Sequence, residues 1–522
     1  MNLCRSSSEI YRKKVRIIHS RQVQIAKKVL LGRSAGISLL LTFLTLVTMK
    51  DISRFVSEDE GLSRPLLGKP GMDLPGSYRL LLAENARRKK EGMEPARDQT
   101  SGDAGKMGKP AIPLGDAFFE TRAGIAAQYP DIFGKNDGTA TGYFDGYHTK
   151  PEPAIAAIAK HLGLDMGDIS FIAADSGRGA IANLMFARSI QQKAAGANSS
   201  VIIEAPFSWP GGGALAKLQP ITTGSVYSAA DPNSVFVMTS ECVEDAIGYA
   251  HHRGVKATSM IRPIVPDNPT GNKRMSANDL VQLAEIADRE DSHLLIDLLY
   301  SVLSEEGING AIEWDEFMKN LAPELRHRVS LLIGTTKATG SDERFVAAIN
   351  LAKANPLYAI AKSEAGSALS NAPTVNATLT AAALYSTPGG PSAAMGERGV
   401  AIKGKESMLK KILDKHGIIS PDGSHSYYTS AILIDGDTGE SLIKDRDGNP
   451  SFLPEDTADV LLKGCDVGIA SPRVWRPYYD ESPSMSGVTV RFSFVVPDAD
   501  IQALDSVFET LKSGSVRSTY AK

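Results

Sequence analysis

Residues 330–345 read SLLIGTTKATGSDERF, and in this stretch an apolar run at 331–334 leads to a single lysine, Lys337, among small residues. A lysine that acts as a nucleophile must lose its proton, so it needs a shielded position at the end of a rigid element with little bulk around the amine. Thr336 and Ala338 leave that space. A surface loop that carries one of the chain's many lysines is the competing interpretation.

Two upstream segments read as buried strands that end in polar residues. Residues 261–274 (IRPIVPDNPTGNKR) lead into Asn-Pro-Thr-Gly, and residues 293–300 (HLLIDLLY) carry Asp297 and, three positions later, Tyr300. Each motif is weak alone. Their order, followed by Lys337 and then an arginine, resembles that of the class I/II aminotransferases, the pyridoxal-phosphate enzymes of fold type I.

The resemblance implies a role for each matching residue. Lys337 would hold pyridoxal 5'-phosphate as a Schiff base and move the proton during catalysis. Asp297 would pair with the pyridine nitrogen and keep it protonated, while Asn268 and Tyr300 would donate to the phenolate oxygen of the ring. Thr335 and Arg344 would bind the phosphate, although this loop places its arginine one residue closer to the lysine than the family usually does.

A Gly-rich turn within residues 169–188 is predicted to complete the phosphate site. Ser176, Gly177, Arg178 and Gly179 follow an apolar strand and open a helix. Orphan amides and the helix dipole favour an anion at such an N-terminus. Glycines that serve only the geometry of the turn are the alternative.

Four more residues are implied by resemblance. Trp209 matches the aromatic residue that stacks on the pyridine ring, and Gly115 and Tyr143 match substrate-site positions, with Tyr147 as an alternative to Tyr143. Arg491 lies in an apolar run, GVTVRFSFVV, where a buried cation needs an anion, and it matches the arginine that binds the substrate carboxylate. An edge-strand arginine that points to solvent is the other interpretation of Arg491.

Length and composition agree with a large cytoplasmic enzyme. The 522 residues, 42% of them hydrophobic, can bury a core for two or more domains. A net charge of −3 argues against a general nucleic-acid binder. The three cysteines are too few and too scattered for a disulfide framework or a metal cluster.

The first 48 residues stand apart from this pattern. Residues 1–33 are basic, with Glu9 as their one acid, and residues 34–49 are uncharged and mostly apolar. Translated upstream sequence before a start at Met49 is favoured, and an uncleaved membrane anchor and a targeting segment are the alternatives. Membrane contact is expected only if this segment is retained.

The remaining organisation follows the composition and the resemblance. Residues 49–110 are predicted to be an N-terminal arm and linker, which in this family commonly lies across the partner subunit, or else a partly disordered tail. Residues 111–395 are predicted to form a large α/β domain with a mostly parallel sheet flanked by helices, and residues 396–522 a smaller C-terminal α/β domain. A homodimer is expected, because sites of this fold borrow residues across a two-fold interface.

The function that the resemblance implies is amino transfer between an amino acid and a 2-oxo acid. A pyridoxal-phosphate lyase or decarboxylase, and a regulatory protein with an aminotransferase-like domain, are the alternatives. The aspartate-specific branch carries an arginine three residues before a Tyr-Ser-x-Pro stretch, where this chain has Ala382. We therefore expect a non-acidic donor, unless Arg473 or Arg476 supplies the missing charge.

Overall fold

The computed structural model describes a set of segments that all belong to the second of two units of the chain, residues 1–61 and 62–522. These segments are residues 74–99, 114–133, 151–205, 215–216, 219–227, 238–255, 257–266, 274–303, 307–339, 344–363, 372–420, 427–469 and 485–520. Within them, no helix has the length and apolar character needed to cross a membrane. The leader at 1–48 lies outside the described residues.

Seven strands form the central sheet, in the spatial order β2-β8-β7-β6-β5-β3-β4. They are β2 (Ser170–Ala174), β3 (Ser199–Glu204), β4 (Thr222–Tyr227), β5 (Thr258–Arg262), β6 (Leu294–Asp297), β7 (Val329–Gly334) and β8 (Val346–Asn350). The pairings of β8 with β2 and β7 are antiparallel, and the other pairings are parallel. The prediction of a mostly parallel sheet is confirmed.

Helices cover both faces of this sheet, which is why β5, β6 and β7 are buried along their whole length. The side chains alternate, so that Leu294 and Ile296 enter one core cluster while Leu295 enters the other. The helices from residue 116 to residue 395 are α2 (Asp116–Gln128), α3 (Pro130–Phe133), α4 (Glu152–His161), α5 (Gly177–Ala194), α6 (Ser240–His252), α7 (Ala277–Arg289), α8 (Ile308–Ala311), α9 (Trp314–Asn320), α10 (Thr336–Thr339), α11 (Pro356–Ala361), α12 (Val375–Ser386) and α13 (Gly390–Met395). The helix that precedes them in the chain, α1, spans Leu74–Lys90.

Two smaller sheets lie outside the seven-stranded one. Strand β9 (Tyr428–Ile432) pairs antiparallel with β11 (Thr489–Ser493), and β1 (Arg97–Gln99) pairs parallel with β10 (Val467–Ile469). The helices of this part are α14 (Glu397–Lys415), α15 (Pro454–Asp459) and α16 (Asp498–Ser513). The division into domains at residue 395 stays a prediction.

Helix α1 (Leu74–Lys90) and β1 are joined to the C-terminal part of the same chain. The buried Arg88 side chain donates to Glu84 at 3.0 Å and to the carboxylate of Asp466. The Gln99 side chain accepts from the backbone amide of Ser493 at 2.8 Å. Residues 74–99 therefore pack on the C-terminal part of the chain, and the assignment of residues 49–110 to an N-terminal arm and linker stays a prediction.

Candidate functional site

Polar residues collect where the parallel strands end. Strands β3, β5 and β6 end at Glu204, Arg262 and Asp297, and β7 ends just before the turn that carries Lys337. Because the carboxyl ends of parallel strands meet at one edge of the sheet, residues far apart in the sequence come together there, and ligands of open α/β sheets bind at this edge. This edge is the candidate site.

Lys337 lies in α10, a single helical turn that follows β7. Its side chain is half-buried, and Nζ lies 4.9 Å from the centre of the Tyr300 ring. Tyr300 comes from the turn after β6 and is buried. A cation faces the negative face of an aromatic ring at this distance, so the structure favours a held amine over a lysine on a free surface loop.

Asp297 belongs to a buried group of three charges. Arg262 Nη1 donates to Asp297 Oδ2 at 3.2 Å, and Arg262 Nη2 donates to Glu204 Oε2 at 2.5 Å. The other carboxylate oxygen, Oδ1, accepts from the Leu299 amide at 3.3 Å. Arg262 is 1% exposed and Asp297 is 5% exposed. The arginine therefore fixes the orientation of the Asp297 carboxylate.

The electrostatic balance at Asp297 has opposing causes. Burial raises the pKa of its carboxyl group, because the charged form loses its hydration. The Arg262 guanidinium, the Leu299 amide and Lys337 all act to lower that pKa. A carboxylate with these neighbours is suited to pairing with a cation brought by a ligand.

The start of α5 lies beside the turn that follows Asp297. A Cβ added at Gly177 would come 2.7 Å from the end of the Leu299 side chain, which would have to shift, so glycine here favours the close packing of α5 against this turn. Ser176 caps the helix, its Oγ accepting from the Gly179 amide at 3.1 Å. Arg178 is exposed. The predicted phosphate turn is thus at this edge of the sheet, and its glycine also serves the packing.

Thr335 and Thr336 differ in what their hydroxyl groups contact. Thr335 is fully buried, and its Oγ1 accepts from the Phe345 amide at 3.2 Å, which ties the end of β7 to the start of β8. Among the described residues, no group lies within hydrogen-bond distance of the buried Thr336 Oγ1. The phosphate role of Thr335 stays a prediction, and Thr336 Oγ1 is a further buried hydroxyl of the same turn.

Arg344 and Gly334 lie where β7 and β8 come closest. Arg344 is exposed and precedes Phe345, whose carbonyl accepts from the Thr335 amide at 2.9 Å. A Cβ at Gly334 would lie 2.3 Å from that same carbonyl oxygen. The glycine is therefore required for the two strands to meet, and Arg344 emerges next to the lysine turn.

Arg491 lies in the middle of β11 and is 2% exposed, so it does not point to solvent from an edge strand. Its guanidinium carbon lies 4.0 Å from the centre of the Tyr428 ring. Tyr428 and Tyr427 both pack edge-on against Tyr300, with ring centres 6.4 and 6.1 Å apart. The tyrosines thus link Arg491 to the ring that faces Lys337.

Sequence reasoning missed four of these residues: Glu204, Arg262, Tyr427 and Tyr428. A signal existed for two of them, because Glu204 and Arg262 are single charges at the ends of apolar strands, the same pattern that singled out Asp297. For the tyrosines, the adjacent pair Tyr427-Tyr428 shortly before an apolar run, AILI, was a weaker signal.

Other predicted residues take different places. Gly115 precedes α2, and its amide donates to the Ala394 carbonyl at 2.9 Å. Tyr143, Trp209 and Asn268 lie outside the described residues, as do the alternatives Tyr147, Arg473 and Arg476.

Ala382 lies in α12, which packs against α2 and α4 of the same chain, and it is 1% exposed. Tyr385 of the same helix donates to the Gly334 carbonyl at 3.1 Å. The segment is part of this protomer's own core. The expectation of a non-acidic donor stays a prediction.

The sequence matches no protein-family model and no curated protein. Solved structures do match. The aspartate aminotransferase of Rhizobium meliloti is 19% identical with a TM-score of 0.60, over 84% of this chain and 95% of that chain. That of Thermus thermophilus with maleate is 19% identical with a TM-score of 0.57, over 87% of this chain and 100% of that chain.

A third match is the aspartate aminotransferase of Thermotoga maritima, which is 15% identical with a TM-score of 0.55, over 83% of this chain and 96% of that chain. At such identities the similarity establishes the fold. The chain has the fold of the aspartate aminotransferases, fold type I, as the resemblance predicted.

Proposed function

We propose that the protein is a pyridoxal-phosphate-dependent aminotransferase that moves an amino group between an amino acid and a 2-oxo acid. The observation that carries the proposal is the placement of Lys337 Nζ over the Tyr300 ring, next to the buried Asp297, at the carboxyl edge of a fold type I sheet. This arrangement joins a held amine to an oriented carboxylate.

The residues present fit this cofactor. The buried Thr336 hydroxyl, which has no partner among the described residues, and the N-terminus of α5 offer hydrogen-bond donors to a phosphate. Asp297 offers a carboxylate to a protonated ring nitrogen. The phosphate donors and the Asp297 carboxylate lie at the edge of the sheet that carries Lys337. One ligand with a phosphate at one end and a basic ring nitrogen at the other therefore suits the site.

Pyridoxal phosphate, when linked to Lys337, would supply an electron sink for the bond broken at the substrate Cα. Lys337 Nζ would hold the cofactor and would carry the proton removed from the substrate Cα. Asp297, held by Arg262, keeps the ring nitrogen protonated. The Tyr300 hydroxyl would donate to the phenolate oxygen of the ring. Arg491 would bind the substrate carboxylate in a bidentate fork.

A homodimer in the cytoplasm is part of the proposal. Its support is the likeness to aminotransferases, whose fold builds sites across a two-fold interface. A non-acidic donor amino acid is part of the proposal too, since the chain has Ala382 where the aspartate-specific branch carries an arginine.

Incubation of the purified chain with pyridoxal phosphate tests the proposal. We expect a visible absorption band and a borohydride-reducible link at Lys337, both lost in Lys337→Ala and kept in Lys319→Ala, whose side chain is 74% exposed. A panel of amino acids with a 2-oxo acid should then yield the new amino acid and keto acid. Release of CO₂ or ammonia instead would assign decarboxylase or lyase chemistry, and a reducible link in Lys337→Ala would refute the assignment.

A further inference from the structure

The turn that carries Lys337 cannot satisfy its own carbonyl groups. Helix α10 spans four residues, and the last four carbonyls of any helix lack an amide donor within it. Exposed carbonyls bond to water, but those at the inner edge of a sheet need donors from the protein. Three successive carbonyls here, of Lys337, Ala338 and Thr339, accept from side chains distant in the sequence.

Two residues supply those donors. Arg398 Nη1 donates to the Ala338 carbonyl at 2.8 Å and to the Thr339 carbonyl at 3.0 Å. The Tyr427 hydroxyl donates to the carbonyl of Lys337 itself. A charged donor forms the stronger kind of hydrogen bond. Burial lowers the pKa of Arg398, because the charged guanidinium loses hydration there.

Both donors belong to the part of the chain that carries Arg491. Arg398 lies in the first turn of α14, and Tyr427 directly precedes β9, which pairs with β11. The contacts of the lysine turn with Arg398 and Tyr427 therefore tie it to the strand pair that holds the buried arginine. A displacement of that strand pair would pull on the backbone of Lys337.

Tyr427 also acts on the side-chain end of the lysine. Its ring packs edge-on against the ring of Tyr300, and Lys337 Nζ lies 4.9 Å from the centre of that Tyr300 ring. One tyrosine thus holds both the carbonyl of Lys337 and the aromatic surface that its amine faces. Loss of the hydroxyl alone would release the first contact and leave the second.

We propose that Arg398 and Tyr427 are positioning residues that fix the Lys337 turn to the C-terminal part of the chain, so that the reactivity of the lysine depends on how that part is placed. The inference rests on the proposed function for the role of Lys337 as the reactive amine. It assigns to Arg398 and Tyr427 a function in addition to holding the fold.

The test measures the reactivity of Lys337 in the protein before any cofactor is added. A small, neutral acylating reagent is applied over a range of pH, and the modification of Lys337 is divided by that of Lys319, whose side chain is 74% exposed, by peptide mass spectrometry. At a given pH, the ratio cancels differences in reagent concentration and in loss of reagent. A second readout is the rate at which pyridoxal phosphate forms a borohydride-reducible link at Lys337.

We expect Tyr427→Phe and Arg398→Gln each to change the Lys337 to Lys319 ratio several-fold, up to about tenfold for each lost hydrogen bond. The change should bring the reactivity of Lys337 closer to that of a freely exposed lysine. The link to pyridoxal phosphate should form more slowly by a similar factor. Arg398→Lys, which keeps one charged donor, should restore part of the ratio.

Tyr358→Phe is the matched control. Its hydroxyl donates to Ser330 Oγ at 2.8 Å, at the other end of the strand that leads to Lys337. It should lower stability and leave the ratio unchanged. Ratios within twofold of the parent in both Tyr427→Phe and Arg398→Gln, or an equal change in Tyr358→Phe, would overturn the inference.

The two readouts separate this inference from the proposed function. A ratio that moves as expected in a protein that forms no link to pyridoxal phosphate would sustain the positioning role and remove the cofactor assignment. If both variants form the link at the rate of the parent and keep its ratio, the cofactor assignment would stand and the positioning role would be removed.

Discussion

Arg262 and Glu204 face each other in register on neighbouring strands, with Nη2 of the arginine 2.5 Å from Oε2 of the glutamate. Both side chains are essentially inaccessible to solvent, and the same guanidinium reaches Asp297 on the next strand. A buried charge is costly unless it is paired. The Arg262 guanidinium therefore pairs with two buried carboxylates at once.

Replacement of Arg262 should destabilise the fold strongly. Arg262→Met leaves Glu204 and Asp297 buried without their shared partner, and we expect a loss of about 3–5 kcal/mol in the free energy of unfolding. Urea unfolding measures it. The control is Arg289→Ala, which removes an exposed ion pair with Glu244 and should cost about 0–1 kcal/mol. If the two changes lowered the free energy of unfolding equally, the buried charge group would not have the stabilising role described here.

Replacement of Asp297 should affect chemistry more than folding. In Asp297→Asn the Arg262 guanidinium keeps Glu204 as its partner, so the variant should fold and retain pyridoxal phosphate. Loss of the carboxylate that holds the ring nitrogen protonated should lower kcat by about a thousandfold or more, or ~4 kcal/mol. Turnover within about tenfold of the parent would mean that another acid does this work. Asp288→Asn, at a surface pair with Arg328, is the control.

Gly334 and Gly404 offer a matched pair of glycines. Gly334→Ala places a Cβ 2.3 Å from the Phe345 carbonyl oxygen, so β7 and β8 must separate at the lysine turn, and we expect a loss of several kcal/mol or failure to fold. Gly404 lies within α14 with no atom within 4 Å of the added Cβ. Gly404→Ala should stabilise the protein by about 0.5–1 kcal/mol. Thermal unfolding of the two variants compares them, and similar midpoints would be inconsistent with the packing described.

His293 should make stability depend on pH below neutrality. It is buried against Ser330, with Nε2 2.7 Å from Oγ, and burial lowers its pKa to about 3, with Arg188, Arg328 and His327 acting in the same direction. In the unfolded chain the pKa is 6.5. Above pH 6.5 the ring is neutral in both states, so it adds no pH dependence there. As the pH falls from 6.5 toward 3, the unfolded state takes up a proton that the folded state refuses, and stability is lost.

The expected slope from this one group approaches about 1.4 kcal/mol per pH unit. His293→Gln can still bond to Ser330, and it should flatten the dependence of the urea midpoint on pH between pH 6 and pH 4. The control is His252→Gln, whose side chain is exposed at the end of α6. An unchanged slope in His293→Gln would show that the ring is protonated in the folded state.

The sequence by itself determined the fold class and the main chemical residues of the candidate site. Strands buried on both faces read as unbroken apolar runs. Burial of a single charge at the end of such a run costs free energy unless the charge has a partner, so such a residue is a candidate site residue. That pattern selected Asp297, and Lys337 after β7 followed from the same local rule. The order of the motifs then pointed to fold type I, which the solved structures confirm.

Only the tertiary structure decided which of these groups act together. Strand order is not written in local periodicity, so nothing in the sequence placed Glu204, Arg262 and Asp297 on adjacent strands. The Tyr427 hydroxyl reaches a carbonyl 90 residues away, and Gln99 reaches an amide 394 residues away.

The burial of Ala382 against α2 and α4 was likewise decided by the packing of the helices and not by the motif. Local patterns fix which face of an element is apolar. The pairing of charges and carbonyls between distant elements is fixed by the long-range packing that buries them.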